Sequence, residues 1–407
     1  MLFSMKKKNN LIVLLLWTCS IVFAQETSTL EQIHTDENND YIPFFLSEEI
    51  GDTPFDEFVN PEPLEKLDSL PPKDNYVNFS KIISPTIMFQ PETSLQLGVA
   101  YGFYFKSKDP SRVSSIFGSA AYSIKNQFIF QINGNYFSKN GKFKMPMEAR
   151  FRIFPEKFYG IGADTTGFGK PCQYHSLNFY VQLQPQFYIN NKWSAGIWIS
   201  TMGEWINQDK SELPQDLCGN DKYLEIGLGP IVQYDSRDNI FWPSKGIFFR
   251  AGYWYYSTYL GSTYDIKAFN VDARYFVPAF KRKFPSVFAF QLLCEGRLGN
   301  NIPFQLLPSI GGRDVLRGQL QNVYRDNIMY AVQAEYRFPI WAFIKGVVFC
   351  SIGDVLNPYN FKIAEPKVTF GLGLRFQINQ NKTHLRLDFG MNNKWKSGFY
   401  FHGVEAF

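Results

Sequence analysis

From Tyr76 to Phe407 the chain repeats one unit, about ten residues of alternating apolar and polar character followed by a turn. Gln291–Leu298 is one example, Ala331–Phe338 a second and His384–Phe389 a third. A period of two residues sets Glu295 and Arg297 on one face of a strand and Leu292, Cys294 and Leu298 on the other. The pattern predicts sixteen strands, at 77–90, 93–106, 113–124, 127–138, 143–154, 174–189, 192–206, 223–235, 246–258, 264–277, 286–299, 328–339, 346–354, 367–378, 383–391 and 398–407. Their connections alternate in length. Ser138–Gly141, Asn190-Asn191 and Asn379–Asn381 are tight turns, whereas Pro155–Gln173, Asn207–Lys222, Asn300–Asn327 and Asn357–Pro366 are long. Alternating short and long connections on an even number of strands is the layout of a transmembrane barrel, with short periplasmic turns and long extracellular loops.

Composition favours the barrel over a soluble sandwich. Phe, Tyr and Trp make up 18% of the chain, with 41 Phe alone, which suits lipid-facing bands and aromatic girdles. Trp193, Trp242 and Trp341 are expected at the periplasmic rim, Trp205 and Trp395 at the outer one, and the last strand is expected to reach Phe407. Beyond the N-terminus no apolar run is long enough for a spanning helix, so a spanning structure has to be a closed sheet.

The first residues have the layout of an export signal. Lys6, Lys7 and Lys8 precede an apolar core from Leu11 to Phe23, and Val22-Phe23-Ala24 forms a small-residue cleavage site before Gln25. Cys19 follows Trp17 and Thr18, a poor context for lipidation. Residues 25–75 then carry fourteen acidic side chains, two lysines and six prolines, a composition expected to stay mostly extended or disordered in the periplasm. Residues 76–407 keep 36 basic against 23 acidic residues. The acidic tail is thus either a solvated linker or a segment drawn to a basic lumen. Export also permits disulfides. Cys172 and Cys218 fall in two long loops and either bridge them or stay as unpaired thiols; Cys294 and Cys350 lie in strands as small apolar residues.

Signals for an enzyme are poor. His34, His175, His384 and His402 are scattered without metal-ligand spacing, and no serine nucleophile elbow occurs. Gly227-Leu228-Gly229 and Gly371-Leu372-Gly373 sit within strands, where glycine relieves crowding, and not in phosphate loops. No catalytic residue, cofactor, metal or nucleic-acid partner is indicated.

The longest late loop contains Gly311-Gly312-Arg313-Asp314-Val315-Leu316-Arg317-Gly318-Gln319. An arginine in a glycine-flanked turn can fold back and offer a planar fork to a carboxylate of the wall. With its surroundings this segment resembles the BamA/TamA-like barrel superfamily, the bacterial surface antigens. Leu316-Arg317-Gly318 resembles the family's sixth-loop motif, an Arg-Gly-aromatic preceded by Val or Leu, with Gln319 where an aromatic is usual. Asp235-Ser236-Arg237-Asp238, followed by Pro243 and Gly246, is similar to the turn after strand eight, and Glu335-Tyr336-Arg337-Phe338-Pro339 to strand twelve. Gly371–Arg375 and Leu385–Asp388 resemble strands fourteen and fifteen, and Phe158–Gly162 the entry to the third loop.

The resemblance implies a sixteen-stranded barrel of the bacterial outer membrane, acting in protein insertion or export, with membrane lipid and unfolded outer-membrane or exported polypeptides as partners. It also implies that Arg317 lies inside the barrel against a carboxylate. The family's usual aspartate on strand thirteen is replaced by Ser351, which leaves Glu335, Asp354 and Asp388 as candidate partners. Residues 25–75 are too few and too acidic for one of the family's soluble periplasmic (POTRA) domains, so the chain is expected to lack them, which weakens a client-handling role and keeps a passive pore or structural barrel as the alternative.

Overall fold

A computed structural model describes residues 79–407 apart from 92, 107–112, 166–168, 281–284, 342, 361–364, 378–381, 383 and 404. The expected signal segment (1–24) and acidic tail (25–75) lie outside the described residues.

Sixteen antiparallel strands form one closed sheet. They are β1 (Phe79–Gln90), β2 (Ser94–Lys106), β3 (Val113–Ser123), β4 (Phe128–Phe137), β5 (Phe143–Phe158), β6 (Cys172–Leu183, resumed at Gln186–Tyr188), β7 (Trp193–Ile206) and β8 (Tyr223–Asp235). After them come β9 (Gly246–Tyr256), β10 (Ile266–Phe280), β11 (Ser286–Leu298), β12 (Ile328–Trp341), β13 (Ile344–Leu356), β14 (Lys367–Gln377), β15 (His384–Asn392) and β16 (Ser397–Gly403). Each strand pairs with its neighbours in sequence, and β1 closes the ring by meeting β16 at Phe89 and Phe401. Closure pairs every strand on both sides, with the seam between β1 and β16 the most sparsely paired; a closed sheet is the condition for a spanning sheet in lipid.

Side-chain alternation is inverted relative to a soluble sheet. Along β12, Gln333, Glu335 and Arg337 are buried inside while Tyr330 and Val332 face outward. On β2, Gln96 is buried and Leu97 and Val99 are exposed on the outer surface. Apolar side chains outward and polar ones inward is the arrangement a bilayer imposes.

Three expectations are corrected. First, β5 does not stop at residue 154 but runs to Phe158. Pro155 is tolerated because β4 last pairs with β5 at Phe128 and Ile153, so beyond that point only the β6 side, where Pro155 faces His175, continues the ladder. Second, β16 ends at Gly403 instead of running to Phe407, which is buried inside the barrel. Continued alternation from Phe399 and Phe401 would have turned Glu405 toward lipid, which is costly for a carboxylate; the chain leaves the ladder, and both Glu405 and Phe407 point inward. Third, Trp242 is no girdle residue. It is buried in the lumen, whereas Trp193, Trp205, Trp341 and Trp395 are exposed on the surface.

Candidate functional site

The connection from β11 to β12 folds back into the barrel. A two-residue hairpin, Ser309–Ile310 against Tyr324–Arg325, forms its neck. Beyond the neck, Gly311, Gly312 and Gly318 take φ of 105°, 97° and 104°, and Leu316 takes 49°. The turn is closed by Gly312 N–H to the Gln319 carbonyl (2.8 Å) and Gln319 N–H to the Leu316 carbonyl (3.0 Å). A non-glycine residue at positive φ is strained and persists only where its surroundings fix it. Leu316 is fixed by full burial among Leu293, Ile310, Tyr324, Met329, Ala331 and Val355. Its N–H also donates to Gln333 Oε1 (3.2 Å), and Gln333 Nε2 donates back to the Asp314 carbonyl (3.0 Å).

Arg317, at the tip, has no solvent exposure. Its Nη1 donates to Asp388 Oδ2 on β15 (2.8 Å) and its Nη2 to Glu335 Oε1 on β12. Its guanidinium lies 3.6 Å from the centroid of the Phe349 ring on β13. A planar fork suits this span, since it reaches two carboxylates and stacks on a ring between them. Sequence on β14 makes room: a Cβ at Gly373 would lie 2.0 Å from Asp388 Oδ1. Asp388 and Glu335 also bind Arg375 (Nη1 to Oδ1, 2.6 Å) and Arg337 (Nε to Oε2, 2.8 Å).

Of the three candidate carboxylates, Glu335 and Asp388 therefore meet Arg317 and Asp354 does not. Asp354 accepts from Lys367 Nζ (2.7 Å), which also donates to the Ala163 carbonyl (2.7 Å) and so ties the loop after β5 to the wall. Ser351 donates to Gln333 Oε1 (3.1 Å), a position from which it supports the loop backbone instead of binding Arg317. Gln319, where an aromatic was usual, is buried and accepts from Asn392 Nδ2 (3.0 Å).

At the opposite, tight-turn end, Asp235 chelates Arg237 (2.9 and 2.7 Å), and the guanidinium covers Phe248 at 4.5 Å. Burial alone would raise the Asp238 carboxyl. Hydrogen bonds from the Ser244 hydroxyl and from the Ser244 and Lys245 amides outweigh it and hold the group below the usual range. Asn239 Oδ1 accepts from the amides of Phe241 and Trp242, both at 2.8 Å. These side-chain caps aim Trp242 into the lumen, 4.4 Å from the His384 ring and 5.0 Å from the Arg337 guanidinium. The only signal for this in the sequence was Asn239 three residues before Trp242, an Asx turn start.

The Omp85 superfamily domain matches residues 125–407. The chain belongs to the Omp85 superfamily. Among curated proteins, none matches it in sequence. Solved structures with a similar fold include BamA from Haemophilus ducreyi lacking POTRA domains 1–3, at 12% identity and TM-score 0.54, covering 81% of this chain and 70% of that one. CdiB from Acinetobacter baumannii is similar at 14% identity and TM-score 0.53, covering 80% and 60% of the two chains. CdiB from Escherichia coli gives 11% and 0.53, covering 83% and 63%. The chain thus spans less than two thirds of either CdiB chain. Such low identities carry the fold alone, and the fold and family together identify an outer-membrane protein.

In this Omp85 barrel Cys172, expected in a loop, is the first residue of β6, and Cys172 and Cys218 are free thiols with no bridge between them in this structure. Cys172 packs against an aromatic cluster containing Phe158, Tyr174 and Phe304. Burial pushes the Cys218 thiol above its ordinary value, against a hydrogen bond with Tyr264. A raised value leaves less thiolate at a given pH, so Cys218 should alkylate more slowly at pH 8 than a free model thiol, and both Cys172 and Cys218 should react after unfolding without reductant. Timed alkylation followed by peptide mass analysis checks this; a fast-reacting Cys218, or a pair masked until reduced, would contradict it.

Proposed function

We propose that this barrel inserts or exports polypeptides at the outer membrane, with unfolded outer-membrane or exported chains as clients and membrane lipid as its surroundings. The observation that carries the reading is the closing seam. Among the described residues, β1 is registered with β2 over twelve residue pairs but with β16 at one, Phe89 with Phe401. Backbone pairing is what holds a barrel wall together in lipid, so this is where the wall parts at least cost and where a client strand finds unpaired backbone. Long loops on the cell exterior and tight turns in the periplasm are part of the same proposal.

The rival reading is a passive pore or structural barrel. A pore needs an unobstructed lumen, and Arg317, Trp242 and Phe407 all occupy it. The test is depletion of the protein followed by quantitation of the outer-membrane proteome. Selective loss of other barrels or exported proteins is the expected result. An unchanged proteome with altered solute leakage would favour the pore instead.

A further inference from the structure

A cavity of about 430 Å³ lies between the turn from β15 to β16, the loop after β5 and the tip of the folded-back loop. Pockets that take small ligands span roughly 300–1,000 Å³. The β15–β16 turn is pinned by one side chain. Asn392 Oδ1 accepts from the amides of Lys394 (3.0 Å) and Lys396 (2.9 Å), and the Trp395 amide donates to the Asn392 carbonyl (3.0 Å). These bonds hold Trp395 at φ of 60°, where a bulky residue stays only if its surroundings impose it. Three neighbouring side chains are thereby divided. Lys394 and Lys396 line the cavity, and Trp395 stands 78% exposed beside it.

The charge of the cavity is one-sided. No acidic residue lines it, and neither lysine ammonium has a partner among the described residues. The uncharged lining suits hydroxyl groups. Gln319 Nε2 directs one hydrogen to the Leu320 carbonyl (3.4 Å) and Asn392 Nδ2 one to Gln319 Oε1 (3.0 Å), so each keeps a second for a ligand. Tyr159 and Tyr324 add apolar surface with a polar tip. A carboxylate alone would leave the amides unused, and a neutral sugar would leave the lysines unused. Gln319 also stands where the family usually has an aromatic. The bulkier side chain would take up part of the cavity, so the opening belongs to this chain's own sequence. Trp395 decides between a soluble and a membrane-bound ligand. It follows the outward face of β16, where Phe399 is 40% exposed, and tryptophan in such a place sits at the boundary between acyl chains and head groups.

We propose that this cavity binds the anionic saccharide head of an outer-leaflet glycolipid, with Lys394 and Lys396 on its phosphate or carboxylate groups and Trp395 against the base of its acyl chains. The inference rests on the proposed orientation, with long loops on the cell exterior, and not on client handling.

The test uses the full chain in detergent and native mass spectrometry, with lipid A, a phosphorylated glucosamine disaccharide bearing acyl chains, as the probe. The parent should hold a lipid A adduct that glucosamine 1-phosphate displaces and uncharged N-acetylglucosamine does not. Lys394→Gln with Lys396→Gln should weaken binding about tenfold through loss of charge-assisted hydrogen bonds. Lys139→Gln with Lys142→Gln removes the same charge beside a tight turn at the opposite end and should leave the adduct unchanged. Gln319→Phe should abolish the adduct by filling the cavity, in molecules shown to be folded by their fast mobility on unboiled gels. Parent-like binding in the Lys394 and Lys396 variant would overturn the site, as would equal losses in the two lysine pairs. Binding of glucosamine 1-phosphate without any lipid A adduct would overturn the glycolipid in favour of a soluble sugar. Binding is read in detergent, so its failure leaves the orientation untouched. Thiol labelling of Lys394→Cys on intact cells tests the orientation separately, and no labelling above the parent would overturn the outer-leaflet placement.

Discussion

Replacing Arg317 with alanine should destabilise the barrel strongly. The substitution leaves two carboxylates buried without their shared partner, and breaking a buried pair in this way costs about 3–5 kcal/mol. Glu335 keeps Arg337 and Asp388 keeps Arg375, which places the effect near the lower end, about 3 kcal/mol. Loss of the stacking on Phe349 adds to it. The measurement is urea unfolding of the purified protein in detergent micelles, followed by tryptophan fluorescence. Arg317→Lys should recover only part of the loss, because an ammonium cannot bridge two carboxylates and cover a ring at once. Parent-like unfolding of Arg317→Ala would mean that the network is solvated in solution and that the clamp is not a source of stability.

Gly318→Val should expel the loop. The position has φ of 104°, and a Cβ there would sit 2.4 Å from the Met391 nitrogen and 2.6 Å from the Gly390 carbonyl carbon. Backbone strain of about 1–3 kcal/mol adds to a clash with backbone that cannot move without breaking β15. The loop carries Arg317, so the variant should expose a buried arginine to trypsin. Cleavage after Arg317, absent from the folded parent and rapid in the variant, is read by peptide mass analysis. The mirror change, Gly390→Ala, places a Cβ 2.4 Å from the Arg317 carbonyl oxygen and should act the same way more weakly. Protection of Arg317 in folded Gly318→Val would contradict the seating described for the loop.

Much of the fold was legible because a barrel strand is a local pattern. Alternation along Ala331–Phe338 and turn residues such as Asn190-Asn191 set strand positions without knowledge of any partner. Arg317 was legible for a similar reason: its flanking glycines announced backbone that only glycine adopts easily. The choice among Glu335, Asp354 and Asp388 was not legible. It depends on where residues of β12, β13 and β15 stand around a curved wall, and on the space that Gly373 leaves beside Asp388. Trp242 and Phe407 were both misplaced by reading a local pattern. Trp242 was assigned to a girdle because aromatics near strand ends usually lie there, and Phe407 to the last strand because the alternation was carried on to it. Nothing in a local pattern records that Asn239 caps a turn that aims Trp242 inward, or that Glu405 draws the end of the chain off its ladder.

As a mechanical object, the barrel is a ring of unequal stiffness. The Arg317 fork crosses from β12 to β15 and so spans four staves with one rigid strut. A wall segment braced across its concave side resists bending, and any deformation is passed to the remainder of the circumference. A lateral load from membrane tension or from an entering chain would therefore leave that arc nearly undistorted and concentrate shear in the staves on the far side of the seam, beginning with β1 and β2.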